Sequence, residues 1–201
     1  PAIHVFGTVQ AQTTPADQIR TLGFGQEGGS WTTPENTKAA QTLVDWVDKG
    51  YFTKDVNGLG YDPAWQSFSK GTGAYLIAGT WLQADLGKAM GDDLTFVLPP
   101  KAQQTPAATG GTGIPWAVSS KTKSPDAAAA YVDFITSKDA MGVLAKTENL
   151  PVADTAEQKA PSTIGQDVFT AFGTAVQDDA LVPYLDYATP TMADTLGAAL
   201  Q

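Results

Sequence analysis

The chain has 201 residues, a formal net charge of −9, no cysteine and one histidine. Its apolar share of 42% is enough for a core, while its 12 Lys and Arg, thinly spread, do not form the basic footprint of a nucleic-acid binder. Disulfides, thiolate zinc sites and a cysteine nucleophile are excluded, and no apolar run approaches the roughly 18–20 residues of a membrane-spanning helix.

In chain order, residues 3–7 form a short apolar run that reads as a strand or buried loop. No initiator Met precedes Pro1, and residues 2–6 read as already inside a fold, so the chain is expected to be processed or part of something longer. Residues 12–30, rich in Thr, Gly and Gln, read as loop or weak hairpin. Thr33 and Pro34 then predict a helix start, since a threonine hydroxyl caps exposed N–H groups and proline suits the first turn. Ala40, Leu43, Val44 and Val47 share one apolar face, and Gly50 suits the helix end.

Asp62 and Pro63 predict a second helix to about Ser69, with Asp62 as its cap, and residues 70–73 a turn. Residues 74–77 read as a buried strand, broken by Gly79, Thr80 and Trp81, which open a helix to about Met90. Residues 94–98 and 114–118 read as strands, with a loop or crossover at 101–113 between them. Ser124 and Pro125 start a helix through about Thr136 with Ala127, Tyr131, Phe134 and Ile135 on one face. Ser137 caps a shorter helix to Lys146, and residues 149–151 break the chain. A helix over 161–176 aligns Ile164, Val168, Ala171 and Ala175. Residues 183–187 are irregular, and Thr189 and Pro190 start a last helix expected to be running still at Gln201, as if cut there.

Three ordered blocks carry a resemblance. The first is Val47-Asp48-Lys49-Gly50-Tyr51 at a helix end; the second is the run from Phe68 through Gly71 and Gly79 to Trp81; the third is GIPWAVSSKTKSPDAAAAYVDFITS over 113–137, followed by Asn149-Leu150-Pro151-Val152. Together they resemble the extracellular solute-binding family that includes the maltose and oligosaccharide receptors of ABC importers. The match spans roughly 43–152 and extends more loosely to Gln201. Gly73 and Tyr75 depart from the usual pattern of the second block. The resemblance implies an α/β, partial periplasmic-binding-protein-like (type II) fold, mainly its second lobe, helix-rich with short strands. It places residues 1–99 and 153–201 in the second lobe and 100–152 in the first. It also implies a sugar or oligosaccharide ligand, ABC permease subunits as partners and an extracellular or periplasmic location with a lipidated N-terminal anchor. No cofactor, metal or catalytic residue is expected.

A sugar receptor needs flat rings for the apolar C–H faces of its ligand and polar groups for the hydroxyl edges. Of the five tryptophans, Trp81 stands at a break between elements and matches the family's stacking position, with Gly79 and Thr80 beside it. Trp46 reads as core-edge packing, Trp65 and Phe68 as packing, Trp31 as a staple before a helix, and Trp116 as core. The glycine-rich loop with Gly110, Gly111 and Thr112 offers backbone N–H groups at close approach. Thr8, Gln10, Asp186 and Tyr187, with Tyr184, lie in segments that reach the ligand in the family. Asp186 equally suits a carboxylate near a helix start. The alternatives are a receptor for a non-sugar polar solute and a glycoside-processing enzyme. For the latter, Glu27, Asp62, Asp85 and Asp186 are the available carboxylates, but none stands in a motif of that chemistry. His4 lies in an apolar run and reads as packed; no G-x-S-x-G, phosphate loop or calcium loop is present.

Overall fold

The computed structural model describes residues 2–99, 107–110, 116–151 and 157–200. Within them the protein is helix-rich with two short strands, the α/β class expected from sequence. The helices are α1 (Ala2–Thr13), α2 (Ala16–Gly23), α3 (Pro34–Asp48), α4 (Tyr61–Phe68), α5 (Gln83–Met90), α6 (Pro125–Ile135), α7 (Lys138–Lys146), α8 (Thr163–Gln177) and α9 (Met192–Ala199). Strands β1 (Ala108–Thr109) and β2 (Leu181–Val182) pair in parallel, Ala108 against Leu181 and Thr109 against Val182. No helix among the described residues is long and apolar enough to cross a membrane.

The chain forms two compact units. The first holds Pro1–Ala78, Leu98–Gly111 and Ala175–Gln201; the second holds Gly79–Val97 and Thr112–Thr174. In the first unit, Phe6 and Val9 of α1, Ile19 and Leu22 of α2, Ala39 of α3, Val182 of β2 and Leu185 make one buried cluster. Leu43, Trp46 and Leu196 pack against it. Trp46 is therefore at the core edge, as its sequence position suggested. Arg20 ties α2 to the turn before β2: its guanidinium donates to Asp179 Oδ1 (2.8 Å), Oδ2 (3.0 Å) and backbone oxygen (2.6 Å), and to Leu181 O (3.0 Å). In the second unit, Ala145, Val168 and Phe169 form a buried cluster with Phe96, Leu150 and Ala160 packed on it.

Several starts expected from sequence are observed. Thr33 Oγ1 accepts the Asn36 N–H at 3.2 Å and caps α3, and Gly50 beyond its end has φ 69°. Ser137 Oγ accepts the Ala140 N–H at 3.3 Å and caps α7. Helix α8 buries Ile164, Val168 and Ala175, three of the four residues aligned from sequence.

Other expectations are overturned. Residues 3–7 are helical within α1, because the buried positions Phe6, Val9 and Gln10 recur at helical spacing, a pattern hidden by the polar character of Gln10. Residues 12–30 contain helix α2, opened after Pro15, whose inward residues are Ile19 and Leu22. Asp62 lies inside the first turn of α4, whose cap position is Gly60, and Asp62 Oδ1 accepts the Trp65 indole N–H at 3.1 Å. Residues 74–77 and 94–98 form no strand, and Tyr75 is 89% exposed rather than buried. The latter segment keeps the alternation of an extended chain, Thr95 and Val97 pointing outward, but a strand needs a hydrogen-bonded neighbour and none is present among the described residues. Of the strand expected over 114–118, residues 114 and 115 lie outside the described residues, and 116–118 are exposed and unpaired as a ladder. Trp116, read as core, is 67% exposed. Most of the loop expected over 101–113 also lies outside the described residues, but its described part contains β1. Helix α9 closes at Ala199, where the Leu200 N–H caps Leu196 O.

Candidate functional site

The second unit carries Trp81 on a single 3-10 turn, Thr80–Leu82, immediately before α5. That turn is closed by the Leu82 N–H donating to Gly79 O at 3.1 Å. Leu82 is buried, whereas the next residue outward, Trp81, is 51% exposed. The alternation is local geometry: in a tight turn, neighbouring side chains point in different directions, so one anchors while the other faces solvent. A Cβ at position 79 would collide with Cζ2, Cζ3 and Cη2 of the indole, so the benzo part of the ring rests where only glycine leaves room. Gly79 has an ordinary extended backbone (φ −92°), and its role is therefore space, not an unusual φ. Thr80 is partly buried in the same turn.

The first unit gathers a different set. His4 of α1 meets Tyr184 edge-on at 5.4 Å between ring centroids, and Tyr184 meets Tyr187 edge-on at 5.6 Å. Asp186 acts electrostatically on all three rings. Burial lowers the His4 pKa, outweighing the attraction of Asp186. Burial and then the neighbouring Tyr187 and Asp186 raise the Tyr184 phenol, and burial with Asp186 raises that of Tyr187. The structure thus brings Asp186 and Tyr187 together with Tyr184 and packs His4, as its apolar run suggested, against that cluster. Its partner was not legible: His4 and Tyr184 are 180 positions apart in number, and nothing local links them.

Gln10 is fully buried, its Nε2 donating to Asn36 Oδ1 at 2.8 Å, and Thr14 Oγ1 donates to the same oxygen at 3.1 Å. Its side chain meets α3 and not solvent. Thr8 is partly buried in α1, and its carbonyl accepts Gln12 Nε2 at 3.3 Å. The Gly110 N–H, expected to face a ligand, donates to Val182 O at 2.9 Å and is committed to the strand pair. Gly111 and Thr112 lie outside the described residues. Among the described residues, no group of three or more His, Asp or Glu is placed to hold a metal ion.

What these arrangements offer chemically is contact, with one half-exposed indole and one cluster of phenols beside a carboxylate. No curated protein and no solved structure matches the chain. The family described as bacterial extracellular solute-binding protein matches residues 5–194, nearly the whole chain and including Trp81, Asp186 and Tyr187. This chain belongs to the bacterial extracellular solute-binding proteins.

Proposed function

We propose that the protein is the substrate-binding component of an ABC sugar importer, taking a mono- or oligosaccharide into the cleft between the two lobes of the family fold. In this reading residues 1–99 and 153–201 belong to the second lobe and 100–152 to the first. The observation that carries it is the half-exposed indole of Trp81, held against Gly79 in a chain of a solute-binding family. An exposed ring fixed in place offers a large apolar area at small entropic cost, which suits the C–H face of a sugar. Thr80, Asp186, Tyr187, Thr8 and the segment at Gly111 and Thr112 supply polar groups for its hydroxyls. The ligand is bound and released unchanged, outside the cell, and handed to membrane permease subunits.

Titrating the protein with oligosaccharides while following tryptophan fluorescence tests this reading. A saturable change without product is expected, and Trp81→Ala should remove most of the affinity with circular dichroism unchanged. Turnover of a glycoside would replace the receptor with a glycoside-processing enzyme. Affinity that survives Trp81→Ala would end the stacking assignment. A non-sugar polar solute is the second reading. The carboxylate of Asp186 beside Tyr184 and Tyr187 supports it, since phenol faces and a carboxylate together suit an ammonium group. Binding of a small ammonium compound in place of any sugar, lost in Asp186→Asn, would select it.

A further inference from the structure

The structure assigns Glu148 the role of a positioning residue for Trp81, acting through Gln83. The inference rests on reading Trp81 as the ligand-stacking ring, and it extends that reading to a residue at the far end of α7. Gln83 is the first residue of α5, two positions after Trp81, and it is buried. Its Nε2 donates to Glu148 Oε2 at 3.2 Å. The same carboxylate oxygen accepts the Ser162 hydroxyl at 2.8 Å, and Ser162 Oγ in turn accepts the Gly165 N–H at 3.1 Å in the first turn of α8. One carboxylate thus joins the start of α5, the end of α7 and the start of α8.

Three features say that this junction is built for placement. Glu148 adopts a left-handed backbone, φ 60°, which is uncommon for a residue with a side chain. A Cβ at Gly165 would collide with Glu148 Oε2 and would come within 2.7 Å of Ala160 Cβ and 2.8 Å of Gln83 Nε2. The carboxylate also lies by the N-terminal turn of α8, where the helix dipole favours a negative charge. The turn Thr80–Leu82 adjoins this junction directly: the Leu82 N–H donates to Gly79 O, the Gln83 N–H donates to Thr80 O, and the side chain of Leu82 is buried, so Gln83 is part of what closes the turn that carries Trp81. Loosening Gln83 lets the first turn of α5 rotate, and the indole swings with it.

The experiment uses the protein labelled with 5-fluorotryptophan, which gives one fluorine resonance for each of the five tryptophans. The Trp81 signal is identified by its loss in Trp81→Phe. Glu148→Ala should shift or broaden the Trp81 resonance and leave that of Trp46 in the other unit in place. Oligosaccharide affinity measured by calorimetry should fall about tenfold, the scale of one lost hydrogen bond to a charged group. Glu148→Gln keeps an acceptor oxygen and should restore both readouts. Should Glu148→Ala fail to fold, Gln83→Met carries the test, and it should move the same resonance. A Trp81 resonance unmoved in the folded variant, or equal changes at all five tryptophans, would overturn the positioning role. If the wild-type protein binds no oligosaccharide, the sugar reading falls, while the fluorine spectra still decide whether Glu148 places the ring.

Discussion

At position 79 the absence of a side chain has a specific use, because the Trp81 indole fills the space that a Cβ would take. Gly79→Ala therefore has to displace the ring. We expect it to weaken ligand binding nearly as far as Trp81→Ala does, with little change in the urea midpoint, since the backbone at 79 is ordinary for any residue. Calorimetric affinity and denaturation of the same variant check both halves. Gln10 and Asn36 show the opposite use of a polar side chain. Asn36 Oδ1 accepts from both Gln10 and Thr14 inside the first unit, and its Nδ2 donates to Ser30 O at 2.9 Å. Asn36→Leu should cost about 1–3 kcal/mol in urea denaturation, because it leaves buried donors without an acceptor. The sequence signal for Gln10 was its place after an apolar run, which suited a ligand contact as well as a helix face; burial against α3 makes it a structural residue.

Helix α3 shows how far an element is legible. Its start follows from Thr33 and Pro34, and the Thr33 hydroxyl makes the expected cap. Thr33→Ala should cost about 1 kcal/mol, read from the denaturation midpoint with an unchanged slope. Its buried face, however, is turned from the one expected: Asn36, Ala39, Leu43 and Trp46 face inward, whereas Val44 and Val47 are exposed. An apolar count favours valine over asparagine, but Asn36 is drawn in by Gln10 and Thr14, partners that lie on α1 and just beyond it. Helix α6 repeats the lesson. Of the expected apolar face, Ala127, Tyr131 and Phe134 are exposed and Ile135 is partly buried, because periodicity identifies a face without naming what covers it. The expected strands at 74–77 and 94–98 failed for a related reason: β propensity is local, and a ladder needs a second chain segment.

For the molecule as a whole, long-range contacts set both stability and the candidate site. His4 joins α1 to Tyr184, and its burial holds its pKa below the ordinary 6.5. The unfolded chain then binds a proton more readily than the folded one, so this residue's contribution is intact above about pH 6.5 and is lost as pH falls below it. The urea midpoint should therefore decline on acidification toward about pH 5, and His4→Gln should flatten that part of the profile. A profile unchanged by His4→Gln would mean that the ring contact is not coupled to folding. Arg20 and Asp179 make a comparable link across a separation of 159 residues, closing the first unit around β2. The amino-acid sequence by itself determined the class, the acidic charge, the capped starts of α3 and α7 and the family, because each depends on local side-chain chemistry or on motifs in order along the chain. Only the tertiary structure decided which face of each helix is covered, which extended segments pair, that the Gly110 N–H serves a strand and that the Trp81 ring rests on Gly79. All but the last depend on groups brought together from distant positions, of which spacing along a single chain carries no record; the last depends on the side-chain direction set by one tight turn.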